Sequence, residues 1–352
     1  MSGTSHDGLD IACCNFNKVR NSWKYEIVKA NTIPYPDTWK SRLMNLLDAN
    51  KETIDRADLE LGTYIGDAVN NFISSSDSKA TYIGSHGHTI FHQPDQGLTL
   101  QIGDGQMIAD KTGLIVISDF RSQDVAMGGQ GAPLVPLGDR LLFSPYDYCL
   151  NLGGISNISF ESNEERIAFD ICPVNMVLDH LVSVTGKEYD DKGRTAAGGR
   201  IIPGILEELE GLPFYQSEGP KSLGREWVVN NIFPILDKYR SQQLRDRLAT
   251  FTEHIALRIS ACMKEGAGKS MLVSGGGVYN NFLIKRMRKH CQADIIVPEP
   301  LLIEYKEAMI FAFLGLLKMR GEVNVLGSVT GAGKDHSAGK LTKPDRRTKS
   351  EK

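Results

Sequence analysis

The chain has too little cysteine to be a disulfide scaffold. Its six cysteines (Cys13, Cys14, Cys149, Cys172, Cys262 and Cys291) are scattered through 352 residues without CxxC spacing. They read as small core residues in a reducing compartment. A basic excess is missing too: the formal net charge of -3 argues against a nucleic-acid binder with a basic face. No apolar run approaches the ~20 residues of a membrane span, and no charged segment leads into an apolar signal region. The expectation is a cytoplasmic protein that engages neither membrane nor nucleic acid. Only the far end is basic. From Lys340 onward six Lys or Arg face Asp345 and Glu351 without aromatics, which reads as a solvated, flexible tail.

A Walker loop is also absent. Gly266-Ala267-Gly268-Lys269-Ser270 ends like one, but Met263 stands where its first glycine belongs; Gly331-Ala332-Gly333-Lys334 fails at Ser328 and is followed by Asp335. His86, His88 and His92 lack a matching set of Asp, Glu or Cys downstream. Hydrogen bonds to a ligand from a strand end therefore suit them better than a zinc site.

What is present fits a globular enzyme of two lobes: 41% apolar and 24% charged residues, enough for cores of ordinary size. Strand-type runs lie at Leu9–Phe16, Tyr25–Ile33, Thr81–Gly84, Leu98–Ile102 and Leu114–Ile117, with helical periodicity over Ile54–Ile73. The run Gly128-Gly129-Gln130-Gly131-Ala132-Pro133 breaks the pattern, and a lobe boundary is placed there: 1–133, 134–332, and a tail 333–352. The second half restarts as a strand to Leu152, a Gly153-Gly154 turn, and a strand from Ile155. Helical patterns follow at Leu244–Met263, Val278–His290 and Glu304–Met319. The opening, Gly3 to Gly8 followed by a strand, has the plan of the Gly153-Gly154 hairpin, which suggests a duplicated α/β fold. Met1 runs straight into the turn-rich Ser2-Gly3-Thr4-Ser5, so the numbering is expected to start inside the first strand.

Three glycine loops stand out. Gly275-Gly276-Gly277 follows a short strand and precedes a helix carrying Asn280; such a loop lets backbone approach a ligand, and the helix start offers free N–H groups. Gly3-Thr4-Ser5-His6-Asp7-Gly8-Leu9-Asp10 combines hydroxyls and glycine N–H groups able to wrap phosphate oxygens, with Asp7 and Asp10 able to hold Mg²⁺ through water. Asp170 ends the short strand Ile167-Ala168-Phe169 and fits either a general base or an N-cap for the helix near Met176. Glu307, on an otherwise apolar helix, is hard to explain as solvated surface.

With these residues in place, the chain resembles the anhydro-N-acetylmuramic acid kinases of the actin/Hsp70/hexokinase-like ATPase superfamily. The landmarks are Gly3 to Asp10, Gly84-Ser85-His86-Gly87, Asp119-Phe120-Arg121, Gly128 to Leu134, Asn151-Leu152-Gly153-Gly154, Phe169-Asp170, Gly219-Pro220-Lys221-Ser222 with Gly224-Arg225-Glu226, and Gly275-Gly276-Gly277 with Asn280. The resemblance implies a duplicated RNase H-like fold with a central nucleotide cleft, and ATP and Mg²⁺ as cofactors. It also implies an amino-sugar substrate and a homodimer active in peptidoglycan recycling. By the same resemblance, Gly3 to Asp10, Gly153 and Gly154 hold phosphates, and Gly275, Gly276, Gly277 and Asn280 face adenosine. Asp170 activates the water that opens the anhydro bridge. Glu307 lies at the sugar, with Ser85, His86, Arg121, Gln130 and Asn175 as further expected contacts. Cys172 and Val174 replace glycines common beside the catalytic aspartate, His88 replaces a glutamine, and His6 an aliphatic residue. The first of these changes raises the alternative of another anhydro- or amino-sugar. A non-catalytic nucleotide-binding regulator of the same fold is the other alternative, against which the presence of both Asp170 and Glu307 argues.

Overall fold

A computed structural model of the protein describes residues 1–3, 8–75, 79–217, 220–263 and 266–345. Two compact units emerge: Met1–Leu142 together with Tyr305–Lys352, and Phe143–Glu304.

In the first unit, β1 (Gly8–Val19) and β2 (Ser22–Pro34) form an antiparallel hairpin. Ahead of it, Ser2 bridges antiparallel to Leu9 and parallel to His88. Helix α1 (Lys51–Ser74) starts at Asn50, whose side chain accepts from the Thr53 amide at 2.9 Å and so satisfies one of the free N–H groups of the first turn. Its Ile54, Leu61, Ile65, Val69 and Phe72 recur at helical spacing and are buried. Strands β3 (Tyr82–Gly84), β4 (His88–Gln93), β5 (Leu98–Ile102) and β6 (Ile115–Ser118) follow. Of these, β4 and β5 pair antiparallel and β3 and β6 pair parallel. Helix α2 (Val135–Leu142) ends this pass of the chain.

The second unit contains β7 (Tyr148–Leu152), β8 (Ile155–Ser162), β9 (Glu165–Pro173), helices α3 (Asn175–Ser183) and α4 (Leu244–Ala261), β10 (Ser270–Ser274), α5 (Asn281–His290) and β11 (Asp294–Ile296). Its sheet order is β11-β10-β7-β8-β9. The pairs β7–β8 and β8–β9 are antiparallel; β7–β10 and β10–β11 are parallel. Leu150, Leu152, Met271, Leu272 and Val273 are fully buried, as continuous apolar runs in central strands require. In the first unit the strands fall into separate sheets, β1 with β2, β4 with β5, and β3 with β6.

The chain then returns. Helix α6 (Pro300–Met319) begins in the second unit and continues in the first from Tyr305. Strand β12 (Lys340–Thr342) lies antiparallel on β6, with Leu341 opposite Ile117. The units therefore differ from the sequence-based division at 133/134 and 332/333. Residues 134–142 and 305–332 belong with the first unit, and the expected free tail includes an ordered strand up to Thr342. The backbone hydrogen bonds of β6 need a partner, and the chain supplies one from its far end.

Candidate active site

The second unit gathers one set of expected residues. The turn Gly153-Gly154 accepts amides from the next segment: Val174 N to Gly154 O at 2.8 Å and Asn175 N to Gly153 O at 3.2 Å. The side-chain amide of Asn175 donates to Leu152 O at 3.3 Å. Gly275 has φ +85°, and a Cβ there would meet Asn151 Oδ1 at 2.5 Å and Leu152 O at 2.8 Å. A Cβ on Gly277 would lie 2.8 Å from Leu152 Cβ. These two positions are glycine because β7 ends against them. Gly276 is different: it is exposed, and the nearest atom to a Cβ would be Asn175 Nδ2 at 3.7 Å. Its backbone is the one open to a ligand. Asn175, expected at the sugar, thus stands beside the glycine loops. Asn280 caps α5, its Oδ1 accepting from Leu283 N at 3.0 Å.

Asp170 lies within β9, which continues to Pro173 rather than ending at Phe169. The N-cap alternative falls away, because Val174 occupies that position on α3 and no side chain caps it. The carboxylate of Asp170 instead accepts from Leu223 N at 2.9 Å and Ser222 Oγ at 3.2 Å, both at Oδ2. Burial raises its pKa from the ordinary aspartate value, and these two donors oppose the rise. Ser222 and Leu223 had no role assigned from sequence; the Lys221-Ser222 landmark was the available signal. Cys172 and Val174 are fully buried in the apolar core of this unit, and Cys172 Sγ sits 3.4 Å from Ser156 Oγ. Their side chains point to packing, so they supply no reason to change the sugar.

The first unit holds a second set. His86 is buried; its Nδ1 pairs with Gly87 O at 3.1 Å, and its Nε2 meets Arg121 Nε at 3.0 Å and Nη2 at 2.8 Å. Since a guanidinium only donates and a carbonyl only accepts, the proton is on Nδ1 and the ring is neutral. Burial, then Arg121, hold its pKa well below the ordinary value. Arg121 Nη1 donates to Gly131 O at 2.6 Å, fixing the loop that carries the exposed Gln130. From within that loop, Gln130 N reaches Thr330 O at 2.7 Å and Gly131 N reaches Asp124 Oδ2 at 2.7 Å. Glu307 is exposed by area yet surrounded by enough protein that desolvation raises its carboxyl, with Arg121 opposing. Ser85 is buried and donates its amide to Ile117 O at 2.8 Å.

Of the phosphate loop, Thr4, Ser5, His6 and Asp7 lie outside the described residues. Gly3 is half-buried. Gly8 packs on β2, where a Cβ would meet Ile33 O at 2.6 Å. Leu9, expected at the nucleotide, has its side chain in the core at 2% exposure, so only its backbone is available. Asp10 is half-buried and accepts from Thr32 Oγ1 at 2.6 Å through Oδ1. A lone carboxylate of this kind fits Mg²⁺, which takes one or two carboxylates and completes its shell with water and phosphate. The three histidines once weighed as zinc ligands have separate partners: Arg121 for His86, Ser2 Oγ for His88 at 2.8 Å, and Thr99 Oγ1 for His92 at 3.1 Å.

The sequence profile of the anhydro-N-acetylmuramic acid kinases matches residues 1–344. An anhydro-N-acetylmuramic acid kinase of Pseudomonas fluorescens strain Pf0-1 is 34% identical over 94% of this chain and 95% of its own. Those of Haemophilus influenzae (32%, covering 98% and 97%) and Acinetobacter baylyi (35%, covering 97% and 97%) are similar in extent. Among solved structures, a ROK family glucokinase from Streptomyces griseus overlaps 86% of this chain and 98% of its own at 12% identity, with a TM-score of 0.38, too distant to bear on the site. The family profile spans nearly the whole chain and the relatives match most of it, and the chain belongs to the anhydro-N-acetylmuramic acid kinase family.

Proposed function

We propose that the protein uses ATP and water to convert 1,6-anhydro-N-acetylmuramic acid into N-acetylmuramic acid 6-phosphate and ADP. Water attacks C1 and loses a proton to Asp170. The C1–O6 bond breaks, and O6 takes the γ-phosphoryl group as the β–γ bridge of ATP opens. The observation that carries this reading is Asp170: a carboxylate with burial-raised basicity, tethered through one oxygen by Ser222 and Leu223. That combination suits a general base better than an ion-pair partner.

Phosphoryl transfer asks the protein mainly for alignment and charge stabilisation. The segment Gly3 to Asp10 and the Gly153-Gly154 turn would hold phosphates, and Gly275 to Gly277 with Asn175 and Asn280 the nucleoside side. Asp10 together with Asp7 would hold Mg²⁺, which supplies charge neutralisation to the phosphates when bound. Arg121 and His86, locked together, with Ser85, Gln130 and Glu307, form the sugar-facing set. Neutral His86 accepts from Arg121 and so orients the guanidinium without competing for protons.

The same reading makes the protein a cytoplasmic homodimer in peptidoglycan recycling. In support, no helix among the described residues is long and apolar enough to cross a membrane, and all six cysteines are free thiols. The dimer rests on family resemblance, and sedimentation of the purified chain reads it directly. Asp170→Asn is expected to lower sugar-dependent ADP release by about 100- to 10,000-fold. Turnover near that of the unaltered protein would overturn the base assignment.

A further inference from the structure

The two oxygens of Asp170 are not equivalent. Both donors, Ser222 Oγ and Leu223 N, converge on Oδ2. The backbone of Asp170 is tied to the same short segment, since Asp170 N donates to Lys221 O at 2.9 Å. Residues 221–223 therefore grip this residue at three points, leaving Oδ1 outside the grip. The segment itself is anchored. Lys221 Nζ donates to Phe214 O at 2.7 Å and Ser217 O at 2.9 Å, and lies 4.4 Å from the centroid of the Phe214 ring. Leu223 is buried at 7% exposure, whereas Ser222 is exposed. Ser222 thus contributes little to packing while spending its hydroxyl proton on the carboxylate.

We propose that Ser222 is a positioning residue for the reaction: with Leu223 it pins Oδ2, so that Oδ1 receives the proton of the attacking water. This rests on the assignment of Asp170 as the base. A carboxylate free to rotate about its Cβ–Cγ bond presents either oxygen in many directions, and a pinned one presents a single lone-pair direction. The same two hydrogen bonds favour the ionised form and offset the burial that disfavours it. The other groups nearby are accounted for. Opposite Asp170 on β8 stands neutral Asn157. Lys221 directs its charge to Phe214 and Ser217. Arg225 and Glu226 begin the helix that follows, where Glu226 folds back toward Gly224. Asp179 lies further along α3. None of these charges adds to the shift at Asp170, which arises from burial and the two donors.

The test is the pH dependence of kcat/KM for the anhydro-sugar in three variants of the full chain. Losing a donor to the ionised form raises the pKa, so Ser222→Ala should move the acid limb to higher pH by about 0.5–1 unit. Its plateau above that limb should fall by about 10-fold, because an unpinned carboxylate no longer holds Oδ1 toward the water; a moved limb with an unchanged plateau rejects the positioning role. Ser222→Thr retains the hydroxyl and should keep the original limb. A limb that does not move in Ser222→Ala, while Asp170→Asn is inactive, overturns the role of Ser222 and leaves the base standing. An active Asp170→Asn overturns the base itself. A lowered plateau with an unmoved limb marks Ser222 as merely structural and also rejects the proposal.

Discussion

Asp179, one turn into α3, is half-buried, and burial alone pushes its carboxyl up to about 6. Because the folded pKa lies above the unfolded value near 3.8, the folded state binds more protons between those values. Stability associated with this group is therefore present at low pH and lost as pH rises through about 6. Asp179→Asn removes the charged form. It should stabilise the protein at pH 7.5 by about 1 kcal/mol once solvent screening is allowed for, with the gain vanishing below about pH 4. Urea midpoints at the two pH values measure it. Gly275 illustrates the opposite case. Its φ +85°, ψ 162° is a region essentially closed to other residues, and a Cβ would strike Asn151 and Leu152. Gly275→Ala should cost about 1–3 kcal/mol and weaken ATP binding, read by calorimetry. At this scale the sequence was informative where chemistry is unusual: a triple glycine, or an acid on an apolar helix. It was silent where a side chain's direction decides. Cys172, Val174 and Leu9 stand in functional motifs but turn into the core, and nothing in their identity reveals that.

Elements read best where periodicity is long. Helix α1 and strands β5, β6, β7 and β8 lie close to where their apolar patterns put them. Strand β4 was missed because His88-Thr-Ile-Phe-His-Gln mixes polar and apolar residues without clean alternation. Strand β9 runs past Asp170 because Ile171 turns into the core at a register shift and Cys172 and Pro173 resume pairing with Ser156 and Ile155 of β8. Helix α5 starts at Asn281 rather than Val278 because Gly276–Tyr279 form a tighter 3₁₀ turn first. Helix α6 carries a further consequence. Its Lys306, next to Glu307, forms a buried ion pair with Asp139 of α2 at 2.7 Å. Removing one partner leaves an uncompensated buried charge, so Asp139→Ala should lower stability by about 3–5 kcal/mol in a urea melt. A loss below about 1 kcal/mol would mean that the pair behaves as a surface contact.

Across the whole molecule, the mixed α/β class could be read from the alternating strand and helix patterns, but the division of the chain could not. The return of α6 and β12 to the first unit depends on pairing between residues more than two hundred positions apart, such as Leu341 with Ile117, and no local pattern encodes it. The return also satisfies buried groups. Asn324, fully buried, donates to Leu314 O at 3.1 Å and Ala338 O at 2.9 Å, and accepts from Ala338 N at 2.7 Å. Deleting residues 333–352 would expose β6 and leave Asn324 with unmet hydrogen bonds, each costing about 1–3 kcal/mol. The truncated chain should melt well below the intact one by calorimetry; an unchanged melt would mean that the far end is a separable arm.

The most direct test of the whole account is the fate of the water oxygen. Turnover of 1,6-anhydro-N-acetylmuramic acid with ATP in ¹⁸O-water, quenched early and read by mass spectrometry, should give a sugar 6-phosphate bearing the label at C1 and an unlabelled phosphoryl group. Label in inorganic phosphate without sugar phosphate would show plain ATP hydrolysis and contradict the claim that ring opening and phosphoryl transfer are one reaction.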